Sequence, residues 1–261
     1  MLELMRHNFA FDGAAATEIS VFHRPCEDFS LFCSKRPLDI NFARTVLALD
    51  RNSWFIFMMR DPRDIVVSRY AGGNGVELYW ANLGQWRSRT ARALRLADHP
   101  RMMIVRYEDL VCDPNAVQET IAQRLPFLPK IGNFSDYYLT AHPSKQSLRA
   151  MRGVRPITDD SVGAWRSDKS RLVGQIDIHG PIGDDLIGLG YEQDKSWEAE
   201  LDGVPANREA GRWPERNSAL SQVQFAWTYA RGVATYVTAP VVRRLEKALR
   251  DMRRNRSSVG E

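Results

Sequence analysis

An arginine and a serine eight positions apart follow an apolar run in the segment FIFMMRDPRDIVVSRY, residues 55–70. Arg60 ends the run, and the Asp-Pro pair after it is typical of a helix start. Arginine offers a planar fork of N–H donors to a phosphate, and a helix N-terminus adds backbone N–H groups. Ser68, two turns into the predicted helix, would donate to the same anion. The pattern predicts a phosphate site at Arg60 and Ser68, although such an arginine is also common at the surface or beside a carboxylate.

Two predicted strands position this segment and its counterpart. SWFIFMM (53–59) and RMMIVRY (101–107) are apolar runs too short for buried helices and suited to strands covered on both faces. Each leads to a helix opened by Asp-Pro, with Asp61 and Asp113 as N-caps. Ligands of open parallel α/β sheets bind beyond the carboxyl ends of the strands, which is the predicted place of Arg60.

The remaining elements predict one α/β domain and a helical extension. FSLFCSK (29–35) predicts a third strand, and the helix DINFARTVLALD follows it. This alternation of strands and helices favours a parallel sheet with helical crossovers. We expect the compact domain to span residues 1–194, because residues 195–217 are polar and interrupted by Pro and Gly, as linkers are. Residues 218–261 predict a C-terminal helical extension with an aromatic first half and a basic second half.

The positive charge of the chain is concentrated near its C-terminus. The formal net charge is +4, yet residues 243–256 alone carry +5 and residues 1–242 sum to zero. A nucleic-acid-binding domain would present a basic face on its folded body. The distribution therefore argues against that class of protein.

The cysteine pattern and the hydropathy predict a cytoplasmic protein. Cys26, Cys33 and Cys112 are odd in number and fit neither a disulfide framework nor a zinc pattern, so we expect free thiols in a reducing compartment. The sequence has no uncharged apolar run of about 18 residues that would predict a membrane span. Its first residues also lack the pattern of a secretory leader.

Four segments, in the same order, resemble sulfotransferases that use 3′-phosphoadenosine 5′-phosphosulfate (PAPS). MMRDPRDIVVSRY is similar to their 3′-phosphate-binding segment, in which an Arg and a Ser eight residues later hold the phosphate. IVRYEDLVCDP resembles their strand followed by Tyr-Glu-Asp-Leu, and LGYE resembles a usual last-strand signature. SKQSLRAMRGVRPITDDSVGAWR resembles the late segment of the tyrosylprotein sulfotransferase branch and its bacterial relatives. The resemblance covers residues 14–194 and implies a P-loop-NTPase-like parallel sheet with helices on both faces.

The resemblance also implies which residues bind the cofactor. Arg60 and Ser68 would hold the 3′-phosphate, and Tyr107 would lie near the adenine. Ser144 and Arg155, eleven residues apart and the second in front of a proline, match the pair that reaches the cofactor phosphates in the tyrosylprotein branch.

The reacting centre is implied by two further segments. LFCSKRP resembles the Cys-Asn-Lys-Asp-Pro of the tyrosylprotein branch, whose Lys stabilises the sulfuryl group in transfer, so Lys35 takes that electrostatic role. Cytosolic sulfotransferases carry a catalytic His at the equivalent place, which is Lys here. FDGAAATEISVF resembles the region of the Glu that deprotonates the acceptor, which implies Glu18, with His23 as the alternative. The spacing from Glu18 to Lys35 is much shorter than in that branch.

One family signature is absent from the sequence. It is the Pro-x-Ser-Gly-Thr loop, whose backbone N–H groups bind the 5′-phosphosulfate. The opening MLELMRHNF resembles the end of the helix that normally follows this loop. We expect either a reading frame that starts too late or an N-terminally truncated protein. A missing central strand would leave buried backbone groups unpaired, at ~1–3 kcal/mol each.

These features predict a sulfotransferase that moves a sulfuryl group from PAPS to a hydroxyl or amine without a metal. The alternative is an impaired remnant that binds nucleotide or a protein partner without transfer. A nucleotide kinase is disfavoured because no Gly-Lys-Ser/Thr loop is present. The sequence does not identify the acceptor, since specificity resides in variable loops rather than in the fold.

The C-terminal helix has two interpretations. Its aromatic residues beside seven basic ones are typical of a helix that lies on a membrane surface. Docking on the domain or on a second subunit is favoured, because Gln222, Gln224 and Arg231 interrupt the apolar part.

Overall fold

The computed structural model describes residues 1–14, 29–71, 77–143, 148, 153–215, 223–224 and 226–238. The strands are Gly13–Ala14 (β1), Phe32–Cys33 (β2), Phe55–Met59 (β3), Arg69–Ala71 (β4), Glu77–Tyr79 (β5) and Met102–Arg106 (β6). The α-helices are Leu2–Asn8 (α1), Ala43–Leu49 (α2), Pro62–Val67 (α3), Leu83–Leu94 (α4), Tyr107–Cys112 (α5), Pro114–Arg124 (α6), Tyr137–Thr140 (α7), Lys169–His179 (α8) and Gly183–Gly188 (α9). Four 3-10 helices cover Pro37–Asn41, Phe134–Asp136, Ala164–Ser167 and Ser196–Leu201. Residues 223–224 and 226–238 are also helical and are called the C-terminal helix below.

The chain forms two compact units. The first contains Met1–Ala10 and Trp54–Asn217, and the second contains Phe11–Ser53 and Ser218–Glu261. Each unit has its own small parallel sheet, and each is described separately.

The parallel pairing predicted for the first unit is confirmed. β3 and β6 pair in parallel, from Phe55 opposite Met102 to Met59 opposite Arg106. The strands are adjacent in space although more than 40 residues separate them in the sequence, so the intervening chain forms a crossover. Their carboxyl ends therefore lie side by side.

The third predicted strand is confirmed in part. Residues Phe32–Cys33 of the predicted range 29–35 form β2, which pairs in parallel with β1. Within the part of the chain that the structure describes, β2 therefore belongs to the second unit and not to the β3–β6 sheet. The fold is α/β with two small parallel sheets among the described residues.

Both Asp-Pro pairs cap helices as predicted. The Asp61 carboxylate accepts a hydrogen bond from the backbone N–H of Arg63 at 2.8 Å, and Asp113 accepts one from Ala116 at 2.9 Å. Pro62 and Pro114 occupy the first position of α3 and α6, where a backbone N–H would have no intrahelical partner. The cap at Asp61 fixes the exit of the chain from β3.

Ser68 does not lie inside a helix, which corrects the prediction that placed it two turns into one. α3 ends at Val67, and Ser68 follows it in an extended conformation. Three β-branched residues, Ile65, Val66 and Val67, weaken the helix, and the chain then enters the antiparallel pair β4–β5. The carbonyl of Ser68 already accepts from the N–H of Trp80 at 2.9 Å in this pairing.

The β4–β5 hairpin leads into helix α4. Glu77–Tyr79 form β5, and α4 begins only at Leu83. Asn82 caps α4 by accepting the N–H of Gln85 at 2.9 Å.

The core of the first unit packs α3 against α8, α9 and the segments around them. Its buried members come from six helical elements and from the residue that precedes α9: Val66, Leu83, Trp165, Leu172, Ile182, Leu186 and Trp197. The rings of Trp165 and Trp197 meet edge to face at 5.9 Å. This cluster forms the layer beneath the residues that follow β3.

The segment predicted as a linker contributes to the first unit up to residue 215. Trp197 is buried in the core, and the Glu215 carboxylate receives hydrogen bonds from three side chains of α8, one turn apart: Arg171, Gln175 and His179. Burial alone would raise the pKa of Glu215, but the hydrogen bonds from His179 and Gln175 and the charge of Arg171 lower it overall. The division of the chain at residues 194 and 217 stays a prediction.

The LGYE segment is a helix end and not a strand. Gly190 has φ +70°, and the N–H of Tyr191 bonds to the carbonyl of Leu186 at 2.8 Å. This is the arrangement in which a left-handed glycine terminates a helix, here α9. The Leu-Gly pair that suggested a strand signature is therefore a helix stop.

The C-terminal helix packs within the second unit through two tyrosines. The ring of Tyr229 stacks on Phe42 at a centroid distance of 5.3 Å, and its hydroxyl bonds to Thr45. The Tyr236 hydroxyl lies 3.1 Å from Ser53 Oγ and donates to the carboxylate of Asp50. Among the residues that are described, no helix is long and apolar enough to cross a membrane.

Two of the three cysteines fall within the described ranges. Cys112 carries a free thiol, Cys33 lies in β2, and Cys26 lies outside the described residues.

Candidate functional site

Arg60 and Tyr107 meet at the carboxyl ends of two paired strands. Arg60 directly follows β3, and Tyr107 directly follows β6. Met59 and Arg106 are partners in the sheet register, so the next residue on each strand emerges at the same edge. The Arg60 guanidinium carbon lies 4.2 Å from the centroid of the Tyr107 ring. The structure thus brings together two residues that were predicted separately, and it places a cation on an aromatic face.

Ser161 joins this pair, although the sequence did not indicate it. Its backbone carbonyl accepts a hydrogen bond from Arg60 Nη2 at 2.6 Å, and its hydroxyl lies 2.6 Å from the Tyr107 hydroxyl. Ser161 is separated from Arg60 by 101 residues. The only sequence signal was its position two residues before Gly163 in the VGAWR segment.

The Arg60 guanidinium has one hydrogen-bond donor without a partner among the described residues. Its Nε is buried and has no hydrogen-bond partner among the described residues. The backbone carbonyl of Arg60 accepts a hydrogen bond from Trp86 Nε1 at 3.2 Å, which fixes the backbone at this position. A buried donor without a partner is costly, at ~1–3 kcal/mol. An anion bound at this edge of the sheet would satisfy it.

Arg63, three residues after Arg60, is held by aromatic rings and ion pairs. Its guanidinium packs against the edge-to-face pair of Trp165 and Trp197, at 4.8 Å and 4.9 Å from their ring centroids. It forms ion pairs with Asp61 at 2.7 Å and with Glu192 at 2.6 Å. Burial alone would lower the pKa of Arg63, but the two carboxylates raise it overall, so the side chain stays charged.

Asp64 anchors the segment that carries Ser161. Its carboxylate accepts the backbone N–H of Gly163 at 2.9 Å and that of Trp165 at 3.0 Å. Gly163 has φ +75°, a conformation that favours glycine. Burial raises the pKa of Asp64, and the two hydrogen bonds oppose this rise. Asp64 therefore fixes the distance between α3 and the segment next to Arg60.

Glu108 ties the two strand ends together. It directly follows Tyr107, and its Oε1 accepts the backbone N–H of Asp61 at 2.9 Å. Burial raises the pKa of Glu108, the Asp61 hydrogen bond lowers it, and the negative charge of Asp61 raises it further. The pKa of Glu108 is therefore raised overall.

We expect Glu108→Gln to change how stability depends on pH. Above the ordinary glutamate pKa and below the raised native one, the folded protein keeps a proton that the unfolded chain has lost, so stability falls as pH rises through this window. The glutamine keeps the acceptor for Asp61 but does not ionise. Urea unfolding between pH 4 and pH 8 should therefore show the variant gaining stability relative to the wild type as pH rises.

A neighbouring carboxylate provides the control for this measurement. Asp109 is exposed, so Asp109→Asn should track the wild type across the same pH range. A constant difference between Glu108→Gln and the wild type at every pH would contradict the assigned role of burial.

The other predicted site residues of the first unit lie apart from Arg60 in their described contacts. The described hydrogen bonds of Ser68 are main-chain bonds, to Ile65 and Trp80. Arg155 is exposed. Burial raises the pKa of Tyr137, and the positive charge of Arg155 lowers it. Their roles at the cofactor stay predictions.

Lys35 belongs to the second unit. It is exposed and lies between β2 and the 3-10 helix Pro37–Asn41. Glu18, its alternative His23, and Ser144 lie outside the described residues. Nothing structural therefore bears on the predicted base.

Metal binding has no candidate in the part of the chain that the structure describes. No group of three or more His, Cys, Asp or Glu side chains there is arranged to hold an ion.

Comparison with known proteins gives one match. Residues 4–126, just under half of the chain, match the model of the sulfotransferase family. The matched range includes Arg60, Ser68, Tyr107, Lys35 and Glu18 and confirms the resemblance at the level of the family. No curated protein and no solved structure matches significantly. The closer assignment to the tyrosylprotein branch stays a prediction.

Proposed function

We propose that this chain, whose residues 4–126 match the model of the sulfotransferase family, transfers a sulfuryl group from PAPS to a hydroxyl or amine of an acceptor. One observation carries the proposal. The Arg60 guanidinium stacks on Tyr107 at the carboxyl ends of paired strands and keeps a buried Nε donor without a described partner. In this proposal the two strands belong to a P-loop-NTPase-like sheet, and their ends bind the nucleotide.

The nucleotide would bind by completing the hydrogen bonds of Arg60. Its 3′-phosphate would accept from Nε and share or replace the Ser161 carbonyl at Nη2, which now lies 2.6 Å away. Tyr107 would offer its ring to the adenine side. Ser68, Ser144 and Arg155 would add donors to the phosphates, as the family resemblance implies.

The reaction would be a substitution at sulfur. The acceptor oxygen or nitrogen attacks sulfur in line, its proton passes to Glu18, and the bond from sulfur to the 5′-phosphate oxygen breaks. The products are the sulfated acceptor and adenosine 3′,5′-bisphosphate. Lys35 would stabilise negative charge near the transferred group, and positioning with electrostatics supplies most of the rate, as in phosphoryl transfer. No metal is needed for these steps.

Calorimetric titration followed by a transfer assay tests the proposal. We expect adenosine 3′,5′-bisphosphate to bind clearly more tightly than adenosine 5′-monophosphate, which lacks the 3′-phosphate. PAPS labelled in its sulfuryl group should then label a member of a panel of phenols, amines, sugars and tyrosine peptides. Equal affinity for the two nucleotides would remove the 3′-phosphate site. Binding without label transfer to any acceptor would favour the non-transferring alternative.

Lys35→Ala is expected to reduce turnover while nucleotide affinity stays nearly unchanged. A preorganised cation at developing charge contributes on the order of 10²–10³ in rate where solvent is excluded, and less for an exposed group, so we expect at least about a tenfold loss. Lys130→Ala is the matched control, because Lys130 is a partly exposed lysine whose described partner is Glu119. An unchanged turnover number in Lys35→Ala would exclude this lysine from the mechanism.

A further inference from the structure

The C-terminal helix carries an apolar stripe that faces solvent. Val223, Trp227, Ala230, Ala234 and Val237 are all exposed and follow one another at intervals of four, three, four and three residues. The exposed fractions of the three large side chains are 66% for Val223, 70% for Trp227 and 52% for Val237. This spacing keeps all five side chains on one helix face, and it is the spacing of a seam between two packed helices. We call these five residues the exposed stripe.

The exposed stripe is separate from the face that docks the helix. Tyr229 and Tyr236 make the contacts within the second unit, and Tyr236 is only 8% exposed. Neither tyrosine belongs to the stripe. The helix therefore has one face that packs within the second unit and a second, apolar face that no described residue covers.

The larger and smaller residues of the stripe are placed so that it complements itself. If a second copy of the helix runs antiparallel with Ala230 at the two-fold axis, Trp227 of each copy faces Ala234 of the other, and Val223 faces Val237. The indole then fills the space that the alanine leaves. From this geometry we propose that two copies of the chain associate through the exposed stripe as an antiparallel, two-fold symmetric helix pair.

The charge distribution supports the antiparallel orientation. Residues 243–256, which follow the helix in the sequence, carry a net +5. A parallel pair would bring two such segments to the same end and would be opposed by like-charge repulsion. In an antiparallel pair the segments start from opposite ends, separated by about 24 Å for a 16-residue span at 1.5 Å per residue.

A second copy fits the stripe better than a lipid surface does. Helices that lie in a membrane surface are rich in Lys and Arg on their polar face. The polar face of the described helix carries Gln224, Thr228, Thr235 and Thr238, with Arg231 as its only cation. Small alanines between Val223 and Val237 suit the close approach of another helix. One helix pair buries less than a standard interface of ~1,200–2,000 Å², so we expect a reversible dimer with micromolar affinity.

Sedimentation equilibrium of the full chain tests the dimer. With rising concentration the apparent mass should move from 29.8 kDa towards twice that value. Trp227→Arg should weaken association at least about tenfold, as expected for a central aromatic of a small interface. Thr228→Arg is the matched control, since it adds the same charge to the next exposed residue, outside the stripe, and should leave association unchanged. Circular dichroism confirms that both variants fold.

A charge pair tests the orientation. Val223→Glu alone should weaken association, and Val223→Glu/Val237→Lys should restore it, because opposite charges then face each other across an antiparallel pair. If the double variant stays as weak as the single one, the antiparallel arrangement is wrong. A wild-type chain that stays monomeric through millimolar concentration overturns the dimer. A monomer that cosediments with phosphatidylserine vesicles through Trp227 also overturns it and assigns the stripe to a membrane surface.

Discussion

Arg60→Ala is expected to reduce the affinity for adenosine 3′,5′-bisphosphate by ~100-fold, because hydrogen bonds to a charged group contribute ~1.5–3 kcal/mol. The buried Nε of the guanidinium has no hydrogen-bond partner among the described residues. Its Nη2 donates a hydrogen bond to the Ser161 carbonyl oxygen at 2.6 Å. A phosphate oxygen offers the same kind of acceptor with a full charge. Isothermal titration calorimetry on the full chain measures the loss.

Two arginine variants separate the phosphate contact from general charge. Arg60→Lys keeps the charge but loses the planar fork and the stacking on Tyr107, so its affinity should fall between those of the wild type and Arg60→Ala. Arg95→Ala removes an exposed arginine elsewhere in the first unit and should leave binding intact. If Arg60→Ala binds the bisphosphate as tightly as the wild type, the phosphate must bind at a different place.

Sequence patterns predicted the part of the fold that is determined locally. The apolar runs at 53–59 and 101–107 became β3 and β6, because apolar runs of this length favour strands over helices. Most of their residues are only half-buried, which corrects the prediction that both faces are covered. Asp61 and Asp113 cap their helices because the cap needs only residues two or three positions away. The placement of Arg60 beside Tyr107 then follows from the strand register.

Other features depend on contacts that no local pattern encodes. Ser161 reaches Arg60 across 101 residues, through a segment held by Asp64. Ser68 was wrongly placed in a helix because α3 competes with the β4–β5 hairpin, and the pairing with Tyr79 and Trp80 prevails. LGYE was wrongly assigned to a strand because a left-handed Gly190 and a strand-ending glycine look alike in sequence.

The predicted site residues belong to different units of the chain. Arg60, Ser68, Tyr107 and Arg155 belong to the first unit, whereas Lys35 belongs to the second. Nucleotide binding at Arg60 rests on contacts within the first unit. The transfer step adds Lys35, whose role rests on the family resemblance. The titration and the turnover assay therefore probe separate parts of the proposal.

Arg63→Ala is expected to destabilise the first unit by ~3–5 kcal/mol, which is typical for removing one partner of a buried ion pair. The Arg63 guanidinium packs against both Trp165 and Trp197, so alanine leaves a cavity beside the two rings. It also leaves the Asp61 carboxylate, whose side chain is 10% exposed, without its cation. Chemical unfolding followed by tryptophan fluorescence measures the change, since both rings report on this region.

Arg166 supplies a matched control on the same tryptophan. Its guanidinium stacks on the Trp165 ring at 4.4 Å and pairs with Glu200, but its side chain is 53% exposed. Exposed ion pairs contribute only ~0–1 kcal/mol, so Arg166→Ala should cost far less than Arg63→Ala. Arg63→Lys should be intermediate, because lysine keeps the charge for Asp61 but has no planar group to pack against the two rings. Equal losses for Arg63→Ala and Arg166→Ala would mean that the burial of Arg63 against the two tryptophans adds nothing to stability.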